Sequence, residues 1–186
     1  MNRYPVFLFL LLFLWPGVTA SASPELVERL RNEKKCLKCN LQYTDWQGAD
    51  LSGADVSGTF FYKSRMRGVK LVKSRLVWSN LELADMVEAD LSEADLTGAD
   101  LRQTDLTRAN LTKGYLYGAN MGAVIAPEAN FTGAFLKGAN LTGADLRGSN
   151  LQGANLERAV LTNALLGGAI WTDGRVCAAE SKGACR

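Results

Sequence analysis

Apolar residues recur at every fifth position of this sequence. From Leu41 to Trp171 there are 27 such positions, and all 27 are apolar, with leucine at 18 of them. The residue two places earlier is small (Ala, Ser, Thr, Gly or Cys) in 25 of the 27 cases, the exceptions being Val69 and Val124. A period of five matches neither the 3.6-residue period of a helix nor the two-residue period of a strand. It predicts a repeat architecture, in which each unit buries its apolar face by stacking on its neighbours.

The repeated phrase is clearest in residues 91–100, LSEADLTGAD, where one five-residue unit occurs twice. This A(D/N)LXX phrase resembles the pentapeptide-repeat family. The resemblance implies an all-β fold, namely a right-handed quadrilateral parallel β-helix of about seven coils. Each pentapeptide would form one side, and four would form a coil of 20 residues. The central apolar residue of each unit and the small residue two places before it would point inward.

Charged residues also alternate at a spacing of 20. Six basic residues lie in positions 63–75, a density that on its own is typical of a nucleic-acid or heparin patch. With a 20-residue coil, however, Arg65 would stack between Asp45 and Asp85. The same spacing places Lys70 between Asp50 and Asp90, and Arg75 between Asp55 and Asp95. We therefore interpret the basic run mainly as a structural stack of opposite charges.

The first 22 residues differ from the rest of the chain. Arg3 is followed by an apolar run and then by small residues up to Ala22, the pattern of a secretory signal peptide. Cleavage near Ala22 would leave an exported protein, periplasmic or extracellular, with 20 basic and 19 acidic residues. An uncleaved N-terminal anchor is the alternative. A nearly neutral protein has no overall attraction to nucleic acid, and membrane contact would be limited to the uncleaved signal peptide.

Short segments at both ends are predicted to cover the solenoid. Residues 23–38 form an N-terminal cap, with Ser23 starting a short amphipathic helix and Pro24 in its first turn. Residues 39–173 form the β-helix, and residues 174–186 a disulfide-closed C-terminal cap. Such caps would keep the end coils from associating edge to edge. The N-terminal helix could alternatively bind a partner or a membrane surface.

The four cysteines occur as two pairs, Cys36 with Cys39 and Cys177 with Cys185. If the chain is a β-helix, the pairs lie roughly 30 Å apart. Disulfide bonding requires Cα atoms within about 7 Å, so each pair would close on itself. Structural disulfides suit an exported protein. The alternative is thiol redox activity by Cys36 and Cys39.

Outward aromatic residues are predicted to gather on one side of the solenoid. Tyr115 and Phe135 lie 20 residues apart, and Val77, Trp78 and Tyr117 fall on the same side. Large outward apolar side chains suggest a contact surface for a protein partner. The alternative is an aromatic ladder that stabilises adjacent coils.

Catalytic chemistry has little support in the sequence. The chain contains no histidine, and its aspartates recur in a repeat position that favours local backbone bonds. We expect no enzyme activity, catalytic residue, metal, cofactor or small-molecule substrate. Pro127 is expected to kink the coil, because it lacks a backbone N–H.

The predicted function is that of a non-enzymatic, exported structural or protein-interaction module acting through its surface. One alternative is the DNA-mimicking, gyrase-binding role that the family resemblance implies for strongly acidic members. The second is the thiol redox protein. The sequence does not predict an oligomeric state.

Overall fold

The backbone of this computed structural model, which describes residues 23–186, winds as a repeat β-solenoid. Parallel β-bridges join residues that are 20 apart, and they recur every five residues from Lys35 to Ile170. Four ladders of bridges therefore run along the molecule, and we number them as sides. Side 1 contains the bridge residues Lys35, Asp55, Arg75, Asp95, Tyr115, Phe135 and Asn155. Sides 2, 3 and 4 start at Asn40, Asp45 and Asp50 and follow the same spacing.

Each unit donates hydrogen bonds towards the next coil. In the unit that begins at Leu91, the Leu91 N–H donates to the carbonyl of Asn110 over 2.7 Å. The Glu93 N–H donates to the carbonyl of Thr112 over 3.0 Å. Within residues 23–186 no strand is longer than one bridge residue, because a turn follows every bridge. The sheet is therefore divided into four narrow ribbons joined by turns.

The turn explains why the unit is five residues long. The Ala94 N–H donates to the Leu91 carbonyl over 3.1 Å and closes the turn, with Glu93 at a φ of 56°. A positive φ at this position is the signature of a type II turn. The carboxylate of Asp90 accepts a hydrogen bond from the Ser92 N–H over 3.0 Å. The Asp or Asn of the repeated phrase thus holds the chain as it enters the turn, as the sequence predicts.

The interior is filled by the side chains of the five-residue pattern. Every central residue from Leu41 to Leu151 is at most 1% exposed. Val124 and Ala126, which exchange the usual large and small sizes, are both completely buried. Leu156, Leu161 and Trp171 near the C-terminal end are partly buried against this core.

The expected kink at Pro127 is wrong. Ile125 forms parallel bridges to Asp105 and Asp145, so the register continues without a bulge. In units that have Asp or Asn before the turn, such as those entered by Asp90 and Asp105, this side chain accepts a hydrogen bond from the N–H at the position of Pro127. Here that place is taken by Ile125, so proline removes no hydrogen bond. Proline is moreover favoured at the first of the two central turn positions.

One α-helix, α1, precedes the first coil and spans Pro24–Glu33. Ser23 is its N-cap, and the Ser23 side chain accepts a hydrogen bond from the backbone. Leu30 is completely buried, and the guanidinium of Arg31 lies 5.8 Å from the centre of the Trp46 ring. The helix thus packs against the apolar end of the first coil.

The bridges extend beyond the predicted repeat range at the N-terminal side. The Lys35–Asp55 bridge lies four residues before the predicted start at residue 39, so Cys36 and Cys39 belong to the first repeat unit. The predicted signal peptide and its cleavage site lie outside the described residues. Within residues 23–186, no helix is both long enough and apolar enough to cross a bilayer.

Candidate partner-binding face

Side 1 brings the outward aromatic residues of the sequence together. Tyr115 and Phe135 are bridge partners on adjacent coils. Val77, Trp78 and Tyr117 lie in the turns that follow side 1, at the same edge of the solenoid. We call these five residues the aromatic face. They lie on one surface because residues 20 apart in a regular solenoid occupy the same side.

Three of the rings form a stack. The ring centroids of Tyr115 and Phe135 are 5.1 Å apart, and the ring planes differ by 6°. The Tyr117 ring lies 5.8 Å from that of Phe135. Such stacking stabilises adjacent coils, as the aromatic-ladder alternative expects. Tyr115 is nevertheless 42% exposed, so the stack presents a broad apolar surface to solvent.

Trp78 stands apart from this stack. Its side chain is largely exposed, with 72% of the residue accessible to solvent, and residues 23–186 offer it no aromatic partner. The Trp78 ring lies flat against the backbone of Gly98, so closely that a Cβ at Gly98 would be 2.4 Å from the ring. Glycine at this turn position therefore permits the contact and orients the indole.

Leu37 extends the aromatic face towards the N-terminal end and was missed by sequence reasoning. It is 47% exposed and follows Cys36 in the first unit. A shallow groove of about 220 Å³ separates it from Trp78, lined by Leu37, Lys38, Ser57, Gly58, Arg75, Val77 and Trp78. The signal was present, because Cys36 stands five residues before Leu41 and continues the apolar register.

Charged groups of both signs border the groove and the aromatic stack. Arg75 lies 3.7 Å from the carboxylate of Asp55. Burial raises the pKa of the Asp55 carboxyl, but hydrogen bonds from the Ser57 hydroxyl and backbone N–H, together with Arg75, bring that pKa below its usual value. At the other end of the stack Lys137 pairs with Glu157 over 2.9 Å. The aromatic face therefore has a rim of mixed charge.

Sequence comparison agrees with this architecture. The family described as pentapeptide repeats matches residues 38–68, 84–122 and 128–172 in eight copies. The chain belongs to the pentapeptide-repeat family. No curated protein matches the sequence significantly.

Several solved structures of pentapeptide-repeat proteins are similar to the chain. One from the thylakoid lumen of Arabidopsis thaliana is 36% identical, with 57% of this chain and 70% of that chain covered and a TM-score of 0.49. HetL, involved in heterocyst differentiation regulation in the cyanobacterium Nostoc sp. strain PCC 7120, is 26% identical, with 84% and 100% covered and a TM-score of 0.36. QnrB1, a plasmid-mediated fluoroquinolone resistance protein, is 19% identical, with 70% and 76% covered and a TM-score of 0.57. The likeness to QnrB1 shows a shared fold.

The basic run of this pentapeptide-repeat protein is paired largely within the solenoid. Arg65 bridges Asp45 and Asp85 in the ladder, and its guanidinium pairs with Asp45 over 3.0 Å. On the other side Asp85 pairs with Arg67 over 2.7 Å. Lys70 occupies the predicted ladder position, but no ion pair involving it occurs in residues 23–186. The predicted ladder register is confirmed, and each ion pair at the exposed surface contributes about 0–1 kcal/mol.

The cysteines are joined as Cys36–Cys39 and Cys177–Cys185. Cys36 is 1% exposed and Cys39 is 7% exposed. The guanidinium of Arg29 lies 3.6 Å and 3.4 Å from their sulfur atoms and covers them from the helix side. The first disulfide is thus enclosed between α1 and the first repeat unit.

Carboxylates are dispersed along the repeat. Residues 23–186 contain no cluster of three or more cysteines, aspartates or glutamates that could hold a metal ion. Asp145 is typical: its carboxylate accepts hydrogen bonds from the Arg147 side chain and the Arg147 backbone N–H. These bonds from Arg147 lower the pKa of Asp145. Its carboxylate therefore supports a turn and stays ionised.

Proposed function

We propose that the protein is an exported, non-enzymatic interaction module that binds a protein partner through the aromatic face. The observation that carries this proposal is the exposure of Trp78, at 72% of the residue. An aromatic ladder accounts for the three stacked rings. It gives no reason for an indole that packs on the Gly98 backbone while 72% of the residue stays exposed to solvent.

The chemistry of the aromatic face favours a protein over other partners. Trp and Tyr are enriched among the residues that contribute most to protein interfaces, usually within a polar rim. Trp78 and the Tyr115 stack would supply the apolar centre, and the pairs Arg75–Asp55 and Lys137–Glu157 would supply the rim. The stack also holds its rings in place before binding, which reduces the entropy lost on association.

The charge distribution does not favour a DNA mimic. Duplex DNA carries one negative charge about every 1.7 Å along its axis. On side 3, the most acidic side, Arg65 and Ile125 interrupt the bridge aspartates, and Asp85 and Asp105 are the longest acidic run. Such a surface lacks the continuous negative charge that nucleic-acid mimicry requires.

The burial of Cys36 and Cys39 does not favour the thiol redox alternative. A reductant has to reach a sulfur atom along the S–S axis. The first repeat unit and Arg29 enclose both sulfur atoms. We propose that both disulfides are structural.

Export and the finer architecture complete the proposal. The apolar segment before Ala22 and two disulfides support passage into an oxidising compartment. We propose about seven right-handed coils, with α1 and residues 174–186 as caps.

N-terminal sequencing tests the proposed export. Protein recovered from outside the cytoplasm is expected to begin at Ser23. Recovered protein that still begins at Met1 would contradict export with cleavage.

Affinity capture with matched variants tests the aromatic face. The wild type, Trp78→Ser, and the double variant Tyr115→Ser with Phe135→Ser would be used to capture proteins from the host's cell envelope. We expect one partner that the wild type binds and that both variants bind at least tenfold more weakly. Circular dichroism and thermal unfolding would establish that the variants are folded.

Ile125→Ser is the matched control. Ile125 is 43% exposed and lies on side 3, which is opposite side 1 in the four-sided coil. It should retain the partner at wild-type affinity. If Trp78→Ser retains it equally well, Trp78 takes no part in binding and the proposal is wrong.

A further inference from the structure

The hydrogen bonds that each unit donates to the next coil stop abruptly near the C-terminal end. Every central residue from Cys36 to Leu151 donates its N–H to a carbonyl 19 residues later. Leu156 and Leu161 are the first central residues whose N–H groups have no protein acceptor within residues 23–186. The turn residues Arg158 and Asn163 likewise lack one.

The C-terminal segment covers the other half of the same coil. Val176 forms an antiparallel bridge with Ile170 on side 4, and Lys182 forms one with Leu165 on side 3. The Leu166 N–H donates to the carbonyl of Ser181 over 2.9 Å. Sides 3 and 4 of the last coil are therefore closed by a single antiparallel segment.

Sides 1 and 2 of the last coil form what we call the open edge. It contains the unbonded N–H groups of Leu156, Arg158 and Leu161, and the carbonyls of Ala154 and Ala159, which accept no bond within residues 23–186. It ends at Asn163, where Gly183 of the C-terminal segment packs. Each side thus offers at least one N–H donor and one carbonyl acceptor. On side 3 the equivalent groups, the Leu166 N–H and the Ala164 carbonyl, form hydrogen bonds with the C-terminal segment.

Apolar side chains accompany these backbone groups. Leu156 and Leu161 are partly buried against the core, unlike the fully buried central residues of earlier coils. Val160, the bridge residue of side 2, is 46% exposed. A strand placed on the open edge would therefore form backbone bonds and also complete the core.

The C-terminal segment restricts what can occupy the open edge. It fills half of the layer in which a further coil would lie, above Leu165 and Ile170. A second solenoid stacked end to end would require that whole layer and would collide with the segment. A single extended chain requires only the vacant half.

We propose that the open edge binds an extended peptide segment by β-strand addition. Main-chain hydrogen bonds supply affinity in this mode, and side-chain pockets supply selectivity. The peptide would carry two apolar side chains five residues apart, one over Leu156 and one over Leu161. This site is independent of the aromatic face.

The probe is a synthetic peptide that copies residues 139–148, acetylated and amidated. It contains two repeat units, with Leu141 and Leu146 at the required spacing. Added to the purified protein, it should slow hydrogen exchange of the Leu156, Arg158 and Leu161 N–H groups. The expected slowing is about tenfold at nine-tenths saturation.

Three controls make the test specific. The same peptide with Asp at both leucine positions should bind at least tenfold more weakly. Trp78→Ser protein should bind the probe as the wild type does, which separates this site from the proposed function. The Leu161→Asp protein should bind the probe at least tenfold more weakly than the wild type does. If this variant does not fold, the comparison of the probe with the Asp peptide on wild-type protein decides whether the open edge is the binding site.

Three results would overturn the proposal. The three N–H groups could be protected in the free protein, or the Asp peptide could protect them equally. Alternatively, sedimentation could show a dimer that protects them without peptide, making a second copy the occupant.

Discussion

Serine hydroxyl groups in one repeat position have different hydrogen-bonding states. The Ser74 hydroxyl donates to the carbonyl of Leu71 over 2.6 Å. The hydroxyls of Ser79 and Ser149 are equally buried but have no partner within residues 23–186. An unpaired buried hydroxyl lowers stability, because its interaction with water is lost without replacement.

Ser79→Ala is therefore expected to raise the free energy of unfolding by about 1 kcal/mol. Alanine already fills this inward position in most units, so the backbone needs no adjustment. Urea unfolding followed by circular dichroism measures the change. Ser74→Ala is the control, and it should be neutral or destabilising because it removes a hydrogen bond. An equal loss of stability in both variants would contradict the interpretation.

The five-residue turn unit requires a positive φ at its third residue. Non-glycine residues such as Lys63 and Glu93 accept this conformation, with φ values of 52° and 56°. At Gly98, however, glycine is needed for space, because the Trp78 ring leaves no room for a Cβ. The turn backbone and the orientation of an exposed aromatic are thus determined together.

Gly98→Ala should displace the Trp78 ring, whereas Gly138→Ala should not. Both glycines have positive φ, of 65° and 70°, so both variants pay about 1 kcal/mol for the left-handed backbone. A Cβ at Gly138 would contact nothing within 4 Å. We expect a change in tryptophan emission and weaker partner binding for Gly98→Ala alone. Identical spectra and binding for the two variants would show that the ring contact is unimportant.

The turn unit was predictable from sequence, but its local exceptions were less so. The Asp90 side chain binds the turn backbone as its residue type suggests. Pro127 was expected to kink the coil, because the missing N–H was considered without the side chain that normally binds it. Leu37 was missed because the repeat was counted from Leu41, although Cys36 continues it.

At the scale of the molecule, the side of any residue follows from its position in the 20-residue coil. This rule alone placed the five residues of the aromatic face together. It could not predict the half-covered C-terminal end. Residues 174–186 carry no five-residue pattern, and their antiparallel return onto Ile170 and Leu165 reverses the chain.

Two deletions test how the coil positions the aromatic face. Removing residues 101–105 should keep the core but rotate Tyr115 and Phe135 onto the side next to that of Trp78. Removing residues 81–100 takes out a full coil and should leave all three on one side. We expect partner capture to be lost in the first deletion and retained in the second. Thermal unfolding should show that both fold. If both deletion variants still capture the partner, Trp78 and the aromatic stack do not have to lie on the same side for binding.

The sequence spacing of the inter-coil hydrogen bonds has a consequence for how the chain is made. The Leu91 N–H donates to a carbonyl that lies 19 residues later in the chain. The last coil of a nascent chain therefore always has N–H groups whose acceptors have not yet been made. At 5–20 residues per second, the ribosome supplies each further coil in about 1–4 s. Helix α1 is made before the first coil and can cover the apolar end of that coil at Trp46. Folding can therefore follow synthesis coil by coil, with a single growing edge exposed at any time.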